Sequence, residues 1–229
     1  MEKILEVNNV SYRYSDADID DYVLKDIKLS FELGKSYAIR GKSGSGKTTL
    51  LSLISGLEKK YEGEILYDGK NLAKMDLDKY RNSDIGIVFQ SYNLLPQFTA
   101  EENIILSMDI SNVKNIDKKA KALELMNQVG LNKSMAKRRV LKLSGGEQQR
   151  IAIARSLSYN PKIIIADEPT GNLDKETESE ILKIFNNLAH NENKCVIIVT
   201  HSPNVCEKVD HVYDLKRGGS DGTKNRKEK

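Results

Sequence analysis

Cysteines and long apolar runs are scarce in this sequence of 229 residues, and each scarcity excludes a class of protein. Cys195 and Cys206 have no metal-ligand spacing, and two cysteines alone are typical of a reduced, cytosolic setting. Cys195 heads an apolar run and is expected to be a small buried residue. No apolar run approaches the roughly 20 residues that cross a bilayer. The opening stretch "MEKILEVNNV" combines charge with strand-like alternation, so it does not indicate a signal peptide.

Net charge is small and is concentrated at the carboxyl end. The whole chain carries +3, but its last fourteen residues, "KRGGSDGTKNRKEK", carry +4 and leave the body at −1. A nearly neutral body argues against nucleic-acid binding, which needs a basic face. The segment 218–229 is expected to be a disordered basic tail, with contact to acidic lipid or an acidic partner as the alternative.

The order of apolar runs predicts an α/β fold. The runs "IIIA" and "VIIV" lack alternation, which is typical of central strands covered on both faces. Early strands, from "ILEVNNVSYRY" to "DIGIVFQ", are expected to be antiparallel, and late strands parallel with crossover helices. The mostly helical stretch 92–160 is expected to interrupt the sheet as a subdomain. The helical patterns follow the first glycine loop, in "TTLLSLISGL", and fill 117–129, 145–158 and 175–189.

A glycine-rich loop, "GKSGSGKT", lies between the strand "SYAI" and a helix, the context that a phosphate-binding loop requires. Its glycines let the backbone N–H groups converge on an anion. Lys47 is expected to reach the β- and γ-phosphates, and the Thr48 hydroxyl to face Mg²⁺. A chance turn rich in glycine and serine is the alternative. The candidate nucleotide-binding residues here are Gly41, Lys42, Ser43, Gly44, Ser45, Gly46, Lys47, Thr48 and Thr49.

Two carboxylates end the buried run "IIIADE". Asp167 is placed to hold Mg²⁺ through water, and Glu168 to orient or deprotonate an attacking water. An acidic turn that caps a helix is the alternative interpretation of this pair. The glycine loop elsewhere in the chain favours the catalytic interpretation.

Three single residues follow strand-like runs and carry little weight alone. Gln90 after "IGIVF" is usually a turn former, and His201 after "CVIIVT" is usually a hydrogen-bonded structural histidine. Tyr14 can stack on a purine, but one aromatic residue at a strand end more often packs in the core.

The stretch "LSGGEQQR" predicts a helix start with two interpretations. Ser144 with Glu147 forms a capping box, worth about 1 kcal/mol to a helix. Gly145 and Gly146 each weaken a helix by up to roughly 1 kcal/mol, which a cap alone does not require. The glycines therefore favour a second anion-binding site, made of uncovered N–H groups at a helix start.

Taken in order, "GKSGSGKT", Gln90, "LSGGE", "IIIADE", "GNLD" and His201 resemble the nucleotide-binding subunit of ABC transporters. The resemblance spans nearly the whole chain, from about Tyr14 to Arg217. The stretches "QSYNLLPQFTAEENI" and "ADEPTGNLD" resemble the branch that serves permeases for macrolide efflux, lipoprotein release and antimicrobial-peptide or bacteriocin export. The implied fold is a P-loop NTPase with an ABC-type ATPase core over 1–217, an antiparallel β subdomain and an inserted α-helical subdomain.

The resemblance implies a role for each matching residue. Tyr14 would stack on adenine, and Gln90 would contact Mg²⁺ and the attacking water and sense the permease. Asp174 would contact the opposite subunit, while His201 would hold the γ-phosphate and Glu168. Thus Glu168, His201 and Gln90 would be catalytic, and the metal would be held by Thr48, Gln90 and Asp167.

Four residues depart from the family pattern or compete with it. Arg40 stands where an apolar residue is common, and Lys42 where the branch has proline or a small residue. Thr48 replaces the more frequent serine and keeps its hydroxyl. Tyr12 is a rival for adenine stacking. None of these differences removes a donor, so we expect tuning of the site and no loss of function.

The resemblance further implies a head-to-tail homodimer on ATP and Mg²⁺. Each ATP would lie between the phosphate loop of one copy and "LSGGE" of the other, which explains two anion-binding sites in one chain. The protein would be cytoplasmic and peripheral on the inner membrane face through a transmembrane permease, with no nucleic acid partner. Export or membrane extraction of a peptide, lipoprotein or amphiphilic drug is the implied task. The alternatives are a non-transport ABC ATPase on a macromolecular complex and a nucleotide-binding regulator without hydrolysis.

Overall fold

The computed structural model describes residues 3–14, 18 and 21–225. These residues form an α/β fold with two sheets. The strands are β1 (Lys3–Tyr12), β2 (Leu24–Glu32), β3 (Ser36–Arg40), β4 (Glu62–Tyr67), β5 (Lys70–Asn71), β6 (Ile85–Val88), β7 (Ile163–Asp167), β8 (Cys195–Thr200), β9 (His211–Lys216) and β10 (Gly219–Asn225). The helices are α1 (Lys47–Ile54), α2 (Leu77–Ser83), α3 (Ala100–Ile110), α4 (Lys118–Gln128), α5 (Gly145–Ser156), α6 (Lys175–His190) and α7 (Pro203–Lys208).

The two sheets differ in strand direction. One is antiparallel, in the order β2-β1-β4-β5, and the other has the order β10-β9-β3-β8-β7-β6 with parallel pairs from β9 to β6. The prediction that early strands are antiparallel is therefore wrong for β3 and β6. Both are apolar runs without alternation, and they join the parallel sheet because that sheet is covered on both faces.

The alternation of side chains along β7 separates two hydrophobic cores. Ile163 and Ile165 pack with α1 and the antiparallel sheet. Ile164 packs on the opposite face, with residues of α5 and α6 such as Ile151 and Phe185. Because every side chain of this central strand is buried up to Ala166, the sheet is fixed from both sides. The carboxyl ends of its parallel strands, including Asp167 at the end of β7, therefore lie along one edge of the sheet.

Helices α3, α4 and α5 contact one another and fill most of the stretch 92–160. Their division from the rest of the chain as a subdomain stays a prediction, since their core is continuous with α6 and one face of the parallel sheet. The patterns did not indicate α2 and α7, which are short. Each has a local start signal: Asp76 accepts hydrogen bonds at the start of α2, and Pro203 opens α7.

The carboxyl-terminal segment differs from the disordered tail expected over 218–229. Residues 219–225 form β10, which pairs antiparallel with β9 through a two-residue turn at Arg217 and Gly218. Gly218 has a φ of 77°, which glycine adopts without steric cost in a tight hairpin. An edge strand is held by backbone hydrogen bonds, so its polar sequence does not prevent pairing. The last residues, 226–229, lie outside the described part of the chain.

None of the described helices combines the length and the apolar content that a membrane crossing requires. Both cysteines are buried and unpaired, and the burial of Cys195 agrees with its prediction.

Candidate functional site

The loop between β3 and α1 depends on glycine at two close approaches. A Cβ on Gly41 would lie 2.3 Å from Ser45 Oγ and 2.5 Å from the carbonyl oxygen of Leu215. Gly46 has a φ of 93°, and a Cβ there would lie 2.7 Å from Leu24 Cδ2. Both glycines are thus required by the packing of the loop, whose backbone leads directly into the first turn of α1.

Lys47 bends over this loop. Its Nζ donates hydrogen bonds to the carbonyl oxygens of Gly41, at 2.7 Å, and Lys42, at 3.1 Å. Burial raises the pKa of Asp167 and the charge of this ammonium group opposes the rise, so the loop and the end of β7 share one electrostatic environment.

The two carboxylates after "IIIA" have different surroundings. Burial, followed by the charge of Glu168, raises the pKa of Asp167 above its ordinary value, and Lys47 opposes this. Glu168 has a φ of 44°, an unfavourable conformation for a residue with a side chain, and its N–H donates to the carbonyl oxygen of Val199 at 2.9 Å. Backbone strain of this kind concentrates at functional sites, where the surrounding structure holds it.

The Glu168 carboxylate is held by the end of β8. His201 Nδ1 donates to Glu168 Oε1 at 2.8 Å, while Oε2 accepts from Thr200 Oγ1 at 3.3 Å and from the His201 N–H at 3.4 Å. The Glu168 side chain is 14% exposed, whereas that of His201 is 71% exposed. The histidine therefore keeps an open ring edge beside a carboxylate of restricted orientation.

A cavity of about 450 Å³ brings many of the predicted residues together. It unites the phosphate loop, the ends of β6 and β7, and a tyrosine after β1. Sequence reasoning missed Asp21, Val23 and Arg217 as lining residues. Arg217 lies in the hairpin turn and pairs with Asp21 at 2.6 Å. The predicted residues in the lining are Tyr14, Ser43, Gly44, Gly46, Lys47, Thr48, Thr49, Gln90, Asp167 and Glu168.

A larger cavity, of about 900 Å³, lies on the other side of the loop. Gly41, Lys42, Ser45 and His201 line this second cavity and not the smaller one. We place the chemistry at the smaller cavity because Lys47 and both carboxylates face it. Arg40 also borders the larger cavity and forms two hydrogen bonds with Asp214, at 2.7 and 3.0 Å. Its charge is thereby balanced next to the loop.

Tyr12 and Tyr14 lie edge to face, with ring centroids 5.3 Å apart. Tyr14 is half exposed, its hydroxyl lies 3.2 Å from Thr49 Oγ1, and it lines the cavity with Lys47. Tyr12 is 3.5 Å from Glu58 and lines only a smaller neighbouring cavity of about 280 Å³. This placement favours Tyr14 as the stacking residue.

The predicted second anion-binding site lies apart from this cavity. Ser144 and Glu147 form the expected capping box, with the Ser144 N–H donating to Glu147 at 2.7 Å. The structure shows a second reason for glycine at these two positions, which is the lack of space for a side chain. A Cβ on Gly146 would lie 2.6 Å from Thr177 Cγ2, and one on Gly145 would lie 3.1 Å from the hydroxyl of Tyr92. The glycines are therefore not evidence of an anion site by themselves, because packing against Thr177 already restricts Gly146.

Asp174 also has a local role. It begins α6 by accepting hydrogen bonds from the N–H groups of Glu176, at 3.0 Å, and Thr177, at 2.9 Å. Bonds to Thr177 lower the pKa of Asp174, so its carboxylate is held in the charged form. Neither Asp174 nor the Ser144–Glu147 segment lines the cavity with Lys47.

Comparison with known proteins places this geometry in a family. A family model described as ABC transporter matches residues 24–171. An uncharacterized ABC transporter ATP-binding protein of Bacillus subtilis, YclH, is 46% identical over 94% of both chains. The lipoprotein-releasing system ATP-binding protein LolD of Francisella tularensis is 38% identical, again over 94% of both. The ATP-binding cassette MJ0796, solved as a dimer in a post-hydrolysis state bound to ADP and Pi, has a TM-score of 0.89 and 35% identity, covering 99% of this chain and 100% of that chain.

These findings confirm the fold class and the resemblance that the motifs predicted. The chain belongs to the ABC transporter family and is one of its ATP-binding ATPase subunits.

Proposed function

We propose that this chain powers a separate permease that exports, or extracts from the membrane, a peptide, lipoprotein or amphiphilic drug. The 38% identity to a protein named for lipoprotein release supports this class of cargo. The branch-like stretches "QSYNLLPQFTAEENI" and "ADEPTGNLD" support it as well. The observation that carries the ATPase chemistry is the hydrogen-bonded pair of Glu168 and His201 beside the cavity with Lys47.

In this proposal the cavity binds ATP with Mg²⁺. The phosphates lie on the loop N–H groups, and the Lys47 ammonium exchanges its loop carbonyls for phosphate oxygens. The Thr48 hydroxyl, the Asp167 carboxylate and the Gln90 amide offer oxygen ligands around one cavity. Mg²⁺ prefers oxygen ligands and keeps several waters, so few protein groups suffice when phosphates complete the shell.

Glu168 then orients the attacking water and accepts its proton. The bonds from Thr200 and His201 restrict the carboxylate, so it presents one geometry to the water. His201 has an exposed ring that reaches the γ-phosphate while it holds Glu168. Tyr14 stacks on the adenine at the other end of the cavity. Positioning and charge stabilisation supply most of the catalysis of phosphoryl transfer, and these residues provide both.

A second copy supplies the residues that this cavity lacks. Ser144, Gly145, Gly146, Glu147 and Asp174 line no part of it, and in this proposal they serve the nucleotide of the partner. Such a head-to-tail pair explains why one chain has two anion-binding sites. The dimer lies at the cytoplasmic face of the membrane and is attached there through the permease.

The hydrolysis step is tested by Glu168→Gln. We expect ATP binding to persist and kcat to fall by roughly 10²–10⁴-fold, because the positioned base is lost. Asp167→Asn should instead raise the Mg²⁺ concentration needed for half-maximal activity. Glu124→Gln, an exposed change on α4, is the control and should keep the native rate. Phosphate release at near the native rate by the Glu168 variant would refute the assignment.

The transport role is tested on membranes. The Glu168→Gln protein, loaded with ATP, should co-purify with an integral membrane protein, and reconstitution of the native pair should stimulate ATP hydrolysis. Capture of a ribosomal or chromosomal complex in place of a membrane protein would favour the non-transport alternative.

A further inference from the structure

The backbone just after Gln90 is strained in a way that needs an outside support. The Tyr92 N–H donates to the carbonyl oxygen of Phe89 at 3.1 Å, so Gln90 lies inside a tight turn. Tyr92 has a φ of 60° and Asn93 a φ of 50°. They are the only adjacent pair of non-glycine residues with positive φ in the described part of the chain. Asparagine adopts this conformation at little cost, but a bulky residue such as Tyr92 disfavours it and keeps it only where surrounding contacts hold it.

The support comes from Arg155, near the end of α5. Its guanidinium donates one hydrogen bond to the carbonyl oxygen of Tyr92, at 2.9 Å, and another to that of Asn93. The two carbonyls are those of the two strained residues. Burial lowers the pKa of Arg155, which indicates that the guanidinium is largely withdrawn from water while it makes these bonds. A planar group with a fixed fork of donors suits two neighbouring carbonyls better than an ammonium does.

Tyr92 reaches the other end of the same helix. Its side chain packs against the core of the helical region. Its hydroxyl lies 3.1 Å from the position that a Cβ on Gly145 would occupy, at the first turn of α5. The turn after Gln90 therefore contacts α5 at both ends, through backbone carbonyls at Arg155 and through the tyrosine hydroxyl at Gly145.

Gln90 itself lies against the loop that follows Glu168. Its Nε2 is 3.4 Å from the position of a Cβ on Gly171, and the Gly171 N–H donates to the carbonyl oxygen of Glu168. A shift of the turn would consequently move the Gln90 amide relative to Glu168. Displacements of about 1 Å at such groups can cost up to about 10²-fold in rate.

We propose that Arg155 is a positioning residue that holds Gln90 at the ATP cavity and Tyr92 against the first turn of α5. The inference rests on the proposed function, because it assumes that Gln90 acts in hydrolysis. Arg155 and Asn93 also line a groove of about 320 Å³ with Leu95 and Ile110. The guanidinium thus lies where the groove, the Gln90 turn and α5 meet.

The first test compares Arg155→Met with Arg150→Met. Arg150 is a matched control on the same helix: it donates to the carbonyl oxygen of Val129 at 2.7 Å and pairs with Glu180, away from Gln90. We expect Arg155→Met to lower kcat by about ten- to a hundredfold with KM for ATP within about twofold, because the phosphate loop is untouched. Arg150→Met should keep the native kcat and KM for ATP when the rates are divided by the concentration of folded protein.

A second readout does not depend on activity. Hydrogen–deuterium exchange of the amides in 89–95 should become faster in Arg155→Met and stay native in Arg150→Met. If Arg155→Met does not fold, Arg155→Gln serves in its place, since a glutamine is polar but its amide ends near the position of the arginine Nε, short of both carbonyls. An unchanged kcat and native exchange in the glutamine variant would overturn the inference.

The third test relieves the strain directly. Asn93→Gly removes the steric cost of a positive φ. Added to Arg155→Met, it should raise kcat above that of the single variant if Arg155 acts by holding this turn. Equal losses in Arg155→Met and Arg150→Met, or slower turnover with native exchange in 89–95, would show a merely structural role. Failure of the proposed function is distinguishable, because the native protein would then not hydrolyse ATP or Glu168→Gln would hydrolyse it normally.

Discussion

At the scale of single residues, two different reasons favour glycine at position 146. Its N–H belongs to the start of α5, where an anion of a second copy is proposed to bind. Its missing side chain leaves room for Thr177 Cγ2, which a Cβ would approach to 2.6 Å. Only the first of these was visible in "LSGGE". A loss of function in a Gly146 variant therefore needs a measurement that separates packing from anion binding.

We expect Gly146→Ala to lower the free energy of unfolding by about 1–3 kcal/mol, because it overpacks the contact between α5 and α6. Thr177→Ser removes the clashing methyl group and keeps the hydroxyl that donates to Asp174. The double variant should recover most of the lost stability in urea titrations followed by circular dichroism. Native stability of Gly146→Ala alone would contradict the packing role.

At the scale of elements, two neighbouring leucines in the segment between β6 and α3 have different surroundings. Leu94 packs against the core of the helical region, whereas Leu95 lines the groove with Leu106 and Ile110. Asn103 fixes this arrangement: its Oδ1 accepts from the Leu95 N–H at 2.8 Å. These adjacent leucines are alike in the sequence, and we expect the groove that Leu95 lines to receive a helix of the permease. Their different neighbours now distinguish them.

Leu95→Glu should leave thermal stability and basal ATP hydrolysis near native values and weaken the association with the permease. Leu94→Glu should lower the free energy of unfolding by about 2 kcal/mol, because it places a charge against the apolar core on which the partly buried Leu94 packs. Thermal unfolding and co-purification with the permease measure the two effects. A collapse of stability in both variants would show that Leu95 is also a core residue.

A second junction of elements joins the starts of β3 and β9 to the end of α6. Asp210 Oδ2 accepts from the Ser36 N–H at 2.8 Å, from Ser36 Oγ at 3.0 Å and from His190 Nε2 at 2.9 Å. Burial alone would raise the pKa of Asp210, but the bonds from Ser36 and His190 outweigh it and lower the pKa below the ordinary 3.8. The charged form is therefore the one that stabilises the fold.

We expect Asp210→Asn to cost about 1 kcal/mol of unfolding free energy at pH 7, through weaker hydrogen bonds at the junction. Because the native pKa is lowered, the stabilisation is complete above pH 3.8 and is lost as the pH falls through the native value. The stability difference between native and variant protein should thus shrink in acid. Urea unfolding from pH 7 to pH 3 measures it, and a difference that is independent of pH would contradict the assignment.

At the scale of the whole molecule, the two proposed anion-binding sites lie apart in one chain. The cavity with Lys47 contains no residue of the Ser144–Glu147 segment. If two copies share each ATP, the defects of two different variants should complement each other. Lys47→Ala lacks its own phosphate contact, and Ser144→Arg blocks the helix start with bulk and charge.

Each of these variants alone should fail to form an ATP-dependent dimer, with Glu168→Gln added to prevent hydrolysis. Mixed, the intact loop of the Ser144 variant meets the intact helix start of the Lys47 variant, which restores one of two sites. Several charge-assisted hydrogen bonds of about 1.5–3 kcal/mol each would hold such a heterodimer at micromolar concentration. Sedimentation or light scattering measures it. Association no stronger on mixing than for either variant alone would count against shared sites, and dimers of a single variant would do so more strongly.

The sequence by itself determined the family, the phosphate loop and the acidic end of β7, because these depend on contiguous residues of fixed type. It also determined α4, α5 and α6 to within a few residues, since amphipathic periodicity and capping residues are local signals. Strand direction was decided only by the tertiary structure: β3 and β6 are early in the chain, yet they pair with late strands. Pairing between distant segments leaves no local pattern.

The same limit applies to the site. The motifs indicated Glu168 and His201, but their hydrogen bond, and the support of the strained turn after Gln90 by Arg155, join residues more than thirty positions apart. Arg217 was given no role at the site, and only its hairpin turn brings it beside Asp21 at the cavity. Chemistry carried by short motifs is readable from residue types, whereas orientation, strain and close approach arise where separate elements pack together.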